Sequence, residues 1–245
     1  MIKSSFFIGE PFEFQNNIFI YPPKVKDIVG NKFFPIYKKI LTTSQEDLED
    51  EYTKNSNSKN IPTPLEFLLN NAFNNAQLQE LTKEAFKFFI HQEVTFLFKE
   101  KMIILGNIKK ILTKAKTVND LIKIDETNFF EFQNLIRQSV NEKIVEPPNP
   151  NEHWKIKQMK AKARYRDRIK AKQASSGLNL HTTLTAICCM KIGITPLNIG
   201  EMSYTAVPAL MKMYQEQEKF QIDIQSKLAG SKKVKPQYWI RNIED

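Results

Sequence analysis

Hydrophobic positions along the chain follow two periods, and the period predicts each element. Near the N-terminus Phe12, Phe14, Ile18 and Ile20 alternate with polar residues. A period of two marks a strand with one covered face. Phe6 to Tyr21 is therefore predicted as strands turned at Asn16-Asn17, and Pro22-Pro23 closes the piece. Short helices follow at Lys24 to Val29, ended by Gly30, and at Pro35 to Leu41. Thr43 or Ser44 is placed to cap the acidic turn Glu46-Asp47-Leu48-Glu49-Asp50-Glu51, where carboxylates meet the positive end of a helix dipole.

Asn55 to Asn60 reads as a polar loop. Thr63 followed by Pro64 predicts an N-cap with Pro in the first helical position, and the helix runs to about Phe73. From Ala76 to Ile90 the period becomes helical, with Leu78, Leu81, Ala85, Phe88 and Phe89 on one stripe. Val94 to Phe98 and Met102 to Leu105 predict a second hairpin. A short helix from about Ile108 and a connector containing Leu121 and Ile124 come next. Asp125 to Val140 is amphipathic, with Phe129, Phe132, Ile136 and Val140 on its stripe.

Pro147, Pro148 and Pro150 interrupt any regular element and define a joint over 146–150. The predicted organisation is a mixed hairpin and helix domain over 1–145, the joint, and a helical region over 151–245. That region opens with a basic helix over 151–173. Leu178 to Ile192 is apolar almost all round and is expected to be buried, with Cys188 and Cys189 as buried thiols. Ser203 is expected to cap a long helix to Ala229, with Gly230 at its C′ position. Its stripe is Val207, Leu210, Met211, Tyr214, Gln221, Ile224 and Leu228. The predicted fold class is α+β and mostly α-helical, with two small β-hairpins in the N-terminal part and an all-helical C-terminal part.

Charge sharpens this division. The chain has 245 residues, 36 Lys plus Arg against 27 Asp plus Glu, and a net charge of +9. Lys155, Lys157, Lys160, Lys162, Arg164, Arg166, Arg168, Lys170 and Lys172 fall in one window with a single acid, Asp167. That window holds +8 of the +9, so a near-neutral body carries one basic helix. Nine positive charges over ~27 Å of helix repel one another unless solvated or neutralised. The candidate partners of this helix are an acidic protein surface, a nucleic-acid backbone, or water alone. Glu46 to Glu51 reads either as a solvated turn or as a counter-patch for the helix. A membrane is disfavoured, because Trp154, Tyr165 and Ile169 offer too small an inserting face.

Catalytic chemistry is hard to assemble from this sequence. The histidines are His91, His153 and His181. His181 and Cys188 are seven residues apart, or ~10.5 Å of helical rise, whereas a nucleophile and its base meet at about 3 Å. No HExxH, CxxC, GxGxxG or P-loop pattern occurs. The expectation is a non-enzymatic protein without cofactor or metal. Two adjacent cysteines suit a reducing compartment. No apolar run reaches the ~20 residues of a membrane span, and Met1 to Gly9 lacks a signal-peptide layout.

Some aromatic residues exceed what one core stripe requires. Phe67, Phe73, Phe86, Phe130 and Tyr214 fall off the main stripes. A second apolar face marks either a buried helix or a partner groove. Phe86, Phe130, Trp154, Tyr165 and Trp239 therefore join the basic residues as candidate partner-binding positions.

Three stretches carry a family resemblance. They are Phe-Ile-Tyr-Pro-Pro-Lys-Val-Lys-Asp-Ile at 19–28, Asn-Phe-Phe-Glu-Phe-Gln-Asn-Leu-Ile-Arg at 128–137, and Leu-Ala-Gly-Ser-Lys-Lys-Val-Lys-Pro-Gln-Tyr-Trp-Ile-Arg-Asn at 228–242. In outline the chain resembles the tail-assembly chaperones of long-tailed phages of Gram-positive bacteria. The resemblance implies a non-enzymatic protein of the host cytoplasm that coats the tape-measure protein and aids tail-tube assembly. A structural virion protein of the tail or baseplate is the first alternative. A nucleic-acid-binding module using the basic helix is the second. A homo-oligomer is compatible with each.

Overall fold

The computed structural model describes residues 4–15, 18–55, 61–106, 122–147, 152–174, 179–190, 193–231 and 234–237. The short helix expected from Ile108 and the turn at Asn16-Asn17 lie outside the described residues, as does most of the joint over 146–150.

The alternating N-terminal residues form the expected hairpin. Phe12–Glu13 (β1) pairs antiparallel with Phe19–Ile20 (β2), with Phe12 opposite Ile20. The strand expectation fails before Phe12, because Ser4–Ile8 is a helical turn (α1). Alternation begins only at Phe12, and the cause of the turn lies at the far end of the chain. The fully buried Phe6 offers its carbonyl to the hydroxyls of Ser203 and Thr205, which donate at 2.6 and 2.7 Å.

Helix starts follow the side chains that cap them. Val25–Val29 (α2) ends at Gly30, and Phe34–Thr42 (α3) carries Pro35 in its first turn. Gln45–Asn55 (α4) is started by Ser44, whose Oγ accepts from the Asp47 amide at 3.2 Å while Asp47 accepts from the Ser44 amide at 3.0 Å. Pro64–Asn74 (α5) has the same reciprocal box between Thr63 and Glu66, and Asn75 caps Ala76–Ile90 (α6). His91, at φ 54°, ends α6 in the left-handed region.

Val94–Leu97 (β3) and Met102–Leu105 (β4) make the second hairpin, with Val94 opposite Leu105. A third strand, Lys123–Ile124 (β5), extends it with Ile103 opposite Ile124. At two residues it is too short to show alternation, which is why it reads as a connector.

Phe129–Ser139 (α7) completes the core. Phe86 stacks on Phe132 at 5.5 Å, and Phe14 meets Phe132 edge-on at 5.7 Å. Each fully buried aromatic ring contributes roughly 1.5–3 kcal/mol relative to exposure. Phe86 is 0% exposed, so it is a core residue and not the partner-binding position its off-stripe place suggested. α6 is covered on two sides, by α3 and by α5, which accounts for its two apolar faces.

Trp154–Ala174 (α8) is the basic helix, followed by Leu180–Cys189 (α9) and Ala206–Leu228 (α10). The fold class is the expected one: α+β and mostly helical, with two small antiparallel sheets and a helical C-terminal part. The last part is tied to α2. The Val25 amide donates to the Met202 carbonyl at 2.9 Å, and the Tyr204 amide donates to that of Pro23 at 2.9 Å. Val25, Ile187, Ile199 and Val207 close a second small core there.

Burial of α9 falls short of the expectation. Within it only Ile187 is buried, and Cys189 is exposed while Cys188 is partly covered. α9 packs chiefly on α10, so only one of its faces is covered. The stripe of α10 is likewise covered only at its start. Val207 is buried and Met211 packs beside it, whereas Ile224 and Leu228 are exposed where the helix runs past α9. Ser203 does not cap α10, because its hydroxyl is committed to Phe6, and Thr205 occupies the N-cap position. Gly230 takes the positive φ of 95° that a C′ glycine supplies.

Candidate functional site

The site is built from two oppositely charged helices. α4 places Glu46 and Asp50 one turn apart on the same face. Across from them Arg164 of α8 spreads its guanidinium over both carboxylates. Nη1 lies 3.1 Å from Glu46 Oε1, and Nη2 donates to Asp50 Oδ1 at 3.2 Å. The planar fork of Arg suits two acceptors at this spacing, which a lysine ammonium does not match. Arg164 Nε is buried without a hydrogen-bond partner. The acidic turn is thus a counter-patch for the basic helix rather than a solvated turn.

Lys160 supplies a second tie. Its Nζ lies 2.7 Å from Glu152 Oε1 and 3.8 Å from Glu146 Oε2. The hydrogen bond that Lys160 donates to Glu152 raises the Lys160 pKa above the ordinary lysine value, against a smaller opposing effect of desolvation.

Between these ties the helix stands off the body and leaves a cleft of about 1250 Å³. Its floor is α7 and the segment after it. Arg137 of α7 donates to the Thr42 carbonyl and reaches Asp47 Oδ2 at 3.4 Å. Gln133 donates to the carbonyls of Leu41 at 3.2 Å and Thr43 at 2.9 Å. Asn134 exchanges two hydrogen bonds of 3.0 Å with the backbone of Val145, which anchors the chain just before Pro147. The floor is therefore cross-braced by hydrogen bonds, while the roof is tied to the body through the ion pairs of Arg164 and Lys160.

The roof presents Ala161, Lys162, Tyr165, Arg166 and Ile169, positions that share one face of α8 at helical spacing. Tyr165 is 60% exposed although its ring borders the cleft. Half-buried Phe130 of α7 and Pro64 of α5 line the same space. Lys162 and Arg166 have no carboxylate partner among the described residues. Glu46, Glu49, Asp50, Glu126, Glu146 and Glu152 border the same space.

The predicted partner-binding residues divide accordingly. Lys160, Lys162, Arg164, Tyr165, Arg166 and Phe130 come together around the cleft. Lys155 is exposed at the start of α8 and does not border it. Lys157, Arg168, Lys170, Lys172 and Trp154 lie in α8, but their side chains are outside the described residues, and Trp239 lies wholly outside them. Sequence reasoning missed Asn134, Val145 and Pro64 as lining residues. The i,i+4 spacing of Glu46 and Asp50 was the available signal for the Arg164 contact.

Among the described residues no group of three or more His, Cys, Asp or Glu is placed to hold a metal ion, and no helix is long and apolar enough to cross a membrane.

Residues 170–244 match the family described as YomV second domain, a phage-associated family name. The matched stretch takes in the end of α8, all of α9 and α10, and the segment beyond them. No curated protein and no solved structure matches the chain.

Proposed function

We propose that the chain is a non-enzymatic phage tail assembly factor that holds a helical segment of another tail protein, the tape-measure protein, in the host cytoplasm. The observation that carries this reading is the standing-off of the basic helix. α8 is clamped by Arg164 to Glu46 and Asp50 and leaves an open, partly apolar cleft over a cross-braced floor. Exposed aromatic surface beside fixed charge is the chemistry of a protein-binding groove. The match of residues 170–244 to a phage-associated family supports the setting.

Co-expression with the tape-measure protein tests the reading. The chain should co-purify with it and keep it soluble, and purified virions should lack the chain. Stoichiometric presence in virions would favour the structural alternative.

The nucleic-acid reading draws on Lys162 and Arg166, cations without a carboxylate partner among the described residues. The six carboxylates around the same cleft oppose it, because a phosphate backbone seated there meets their repulsion.

A further inference from the structure

We infer that the cleft beneath α8 takes an amphipathic helix of about three turns whose polar flank is acidic, and that Lys162 and Arg166 are the groups that read this flank. The inference rests on the protein-binding reading above and specifies its ligand.

Size selects the occupant first. A helix ~10 Å across takes up roughly 120 Å³ per residue. The cleft volume of about 1250 Å³ therefore accommodates roughly ten residues of helix. An extended strand would find no strand to pair with among the described lining residues, which come from helices and the segments joining them.

Apolar contacts select the stripe. Phe130 from the floor and Tyr165 with Ile169 from the roof face the same space. Tyr165 and Ile169 are 60% and 39% exposed, so they have surface left to bury. Side chains at i, i+3 and i+7 of an incoming helix meet such a pair of walls.

Charge selects the flank. The acidic wall is already engaged, with Glu46 and Asp50 on Arg164 and with Glu146 and Glu152 on Lys160. On the roof Lys162 and Arg166, one turn apart, border the cleft as exposed cations with no carboxylate partner among the described residues. Carboxylates at i and i+4 of the occupant match that spacing. A polyanion of phosphates does not fit as well, since it cannot keep its charge away from the six bordering carboxylates.

The test uses the full chain and two fluorescent synthetic peptides of roughly fourteen residues, about four helical turns. Both carry the same Leu stripe; one has Glu on the flank and the other has Lys. Fluorescence anisotropy gives the affinities. The Glu peptide should bind at least tenfold more tightly than the Lys peptide. K162E/R166E, whose changes are at exposed positions and whose helicity is checked by circular dichroism, should reverse that order. F130A should weaken both peptides. Equal binding of the two peptides would overturn the inference while leaving the protein-binding reading intact. Binding of neither overturns it too, and co-purification with the tape-measure protein then decides the function separately. Displacement of the Glu peptide by single-stranded DNA at equal charge concentration would overturn it in favour of nucleic acid. A stable dimer in sedimentation that excludes the peptide would overturn it in favour of a second copy of the chain.

Discussion

Arg164 Nη2 meets Asp50 Oδ1 at 3.2 Å across 114 positions of sequence. This contact, with the companion pair to Glu46, joins the basic helix to the body beside the cleft. Partly exposed ion pairs contribute about 1 kcal/mol or less each and weaken with salt. Removing the clamp should therefore loosen α8 without unfolding the core. Arg164→Ala is expected to leave the thermal midpoint within a few degrees of wild type and to speed amide exchange throughout 154–174. High salt should do the same to wild type and little more to the variant. Unchanged exchange in α8 would show that the helix is held by something else.

Core and cleft aromatics should separate cleanly. Phe86 is fully buried on Phe132, and Phe86→Ala should cost about 3–5 kcal/mol in denaturant unfolding. Phe130 is half-buried at the cleft, and Phe130→Ala should cost about 1 kcal/mol or less while weakening peptide binding. Comparable stability losses would contradict the division.

Tyr37 provides an alkaline marker of the core. Burial, followed by its hydrogen bond to Glu84 at 2.6 Å, pushes its phenol up to about 12. A pKa raised on folding means the protonated phenol is favoured in the folded state. Its contribution is complete below pH 10, the ordinary tyrosine value, and is lost as pH rises towards 12. Denaturant midpoints of wild type should fall across that window. Tyr37→Phe should lack this component of the fall.

Glu201 marks the seat of the C-terminal part on α2. Hydrogen bonds from Lys26, then Lys24, hold its carboxyl at about 2, below the ordinary glutamate value of 4.5. A depressed carboxyl contributes above the unfolded value and loses that contribution as pH falls from 4.5 towards 2. The group is solvent-exposed, so screening keeps the effect small. Carbon-detected titration should place Glu201 near 2, and salt should move it upward. A titration at 4.5 in low salt would show that the two lysines do not engage it.

Much of the fold is legible in local signals. Thr63-Pro64, Ser44 with Asp47, and the Phe129, Phe132, Ile136 stripe place α5, α4 and α7 because capping and periodicity act within a few residues. The failures come from contacts between distant parts. Phe6 turns helical under hydroxyls from Ser203 and Thr205, and β5 exists only as the partner of β4. α9 stays half uncovered because it packs chiefly on α10, which its apolar composition does not reveal. The cleft was half legible. Its basic roof and acidic counter-patch are composition, whereas its floor of Asn134 and Val145 depends on how α7 meets the segment before the prolines.

The central claim is that the cleft between α7 and α8 holds a helix of a tail protein. Photo-crosslinking from that cleft tests it most directly. A photoreactive phenylalanine is placed at position 130 or 165, and a control at Leu197, which is 96% exposed and outside the cleft. Each is co-expressed with the tape-measure protein, and adducts are located by mass spectrometry. The account predicts that positions 130 and 165 crosslink to the same helical stretch of the tape-measure protein and that Leu197 does not. Adducts absent from both cleft positions, or equally abundant at Leu197, would contradict it.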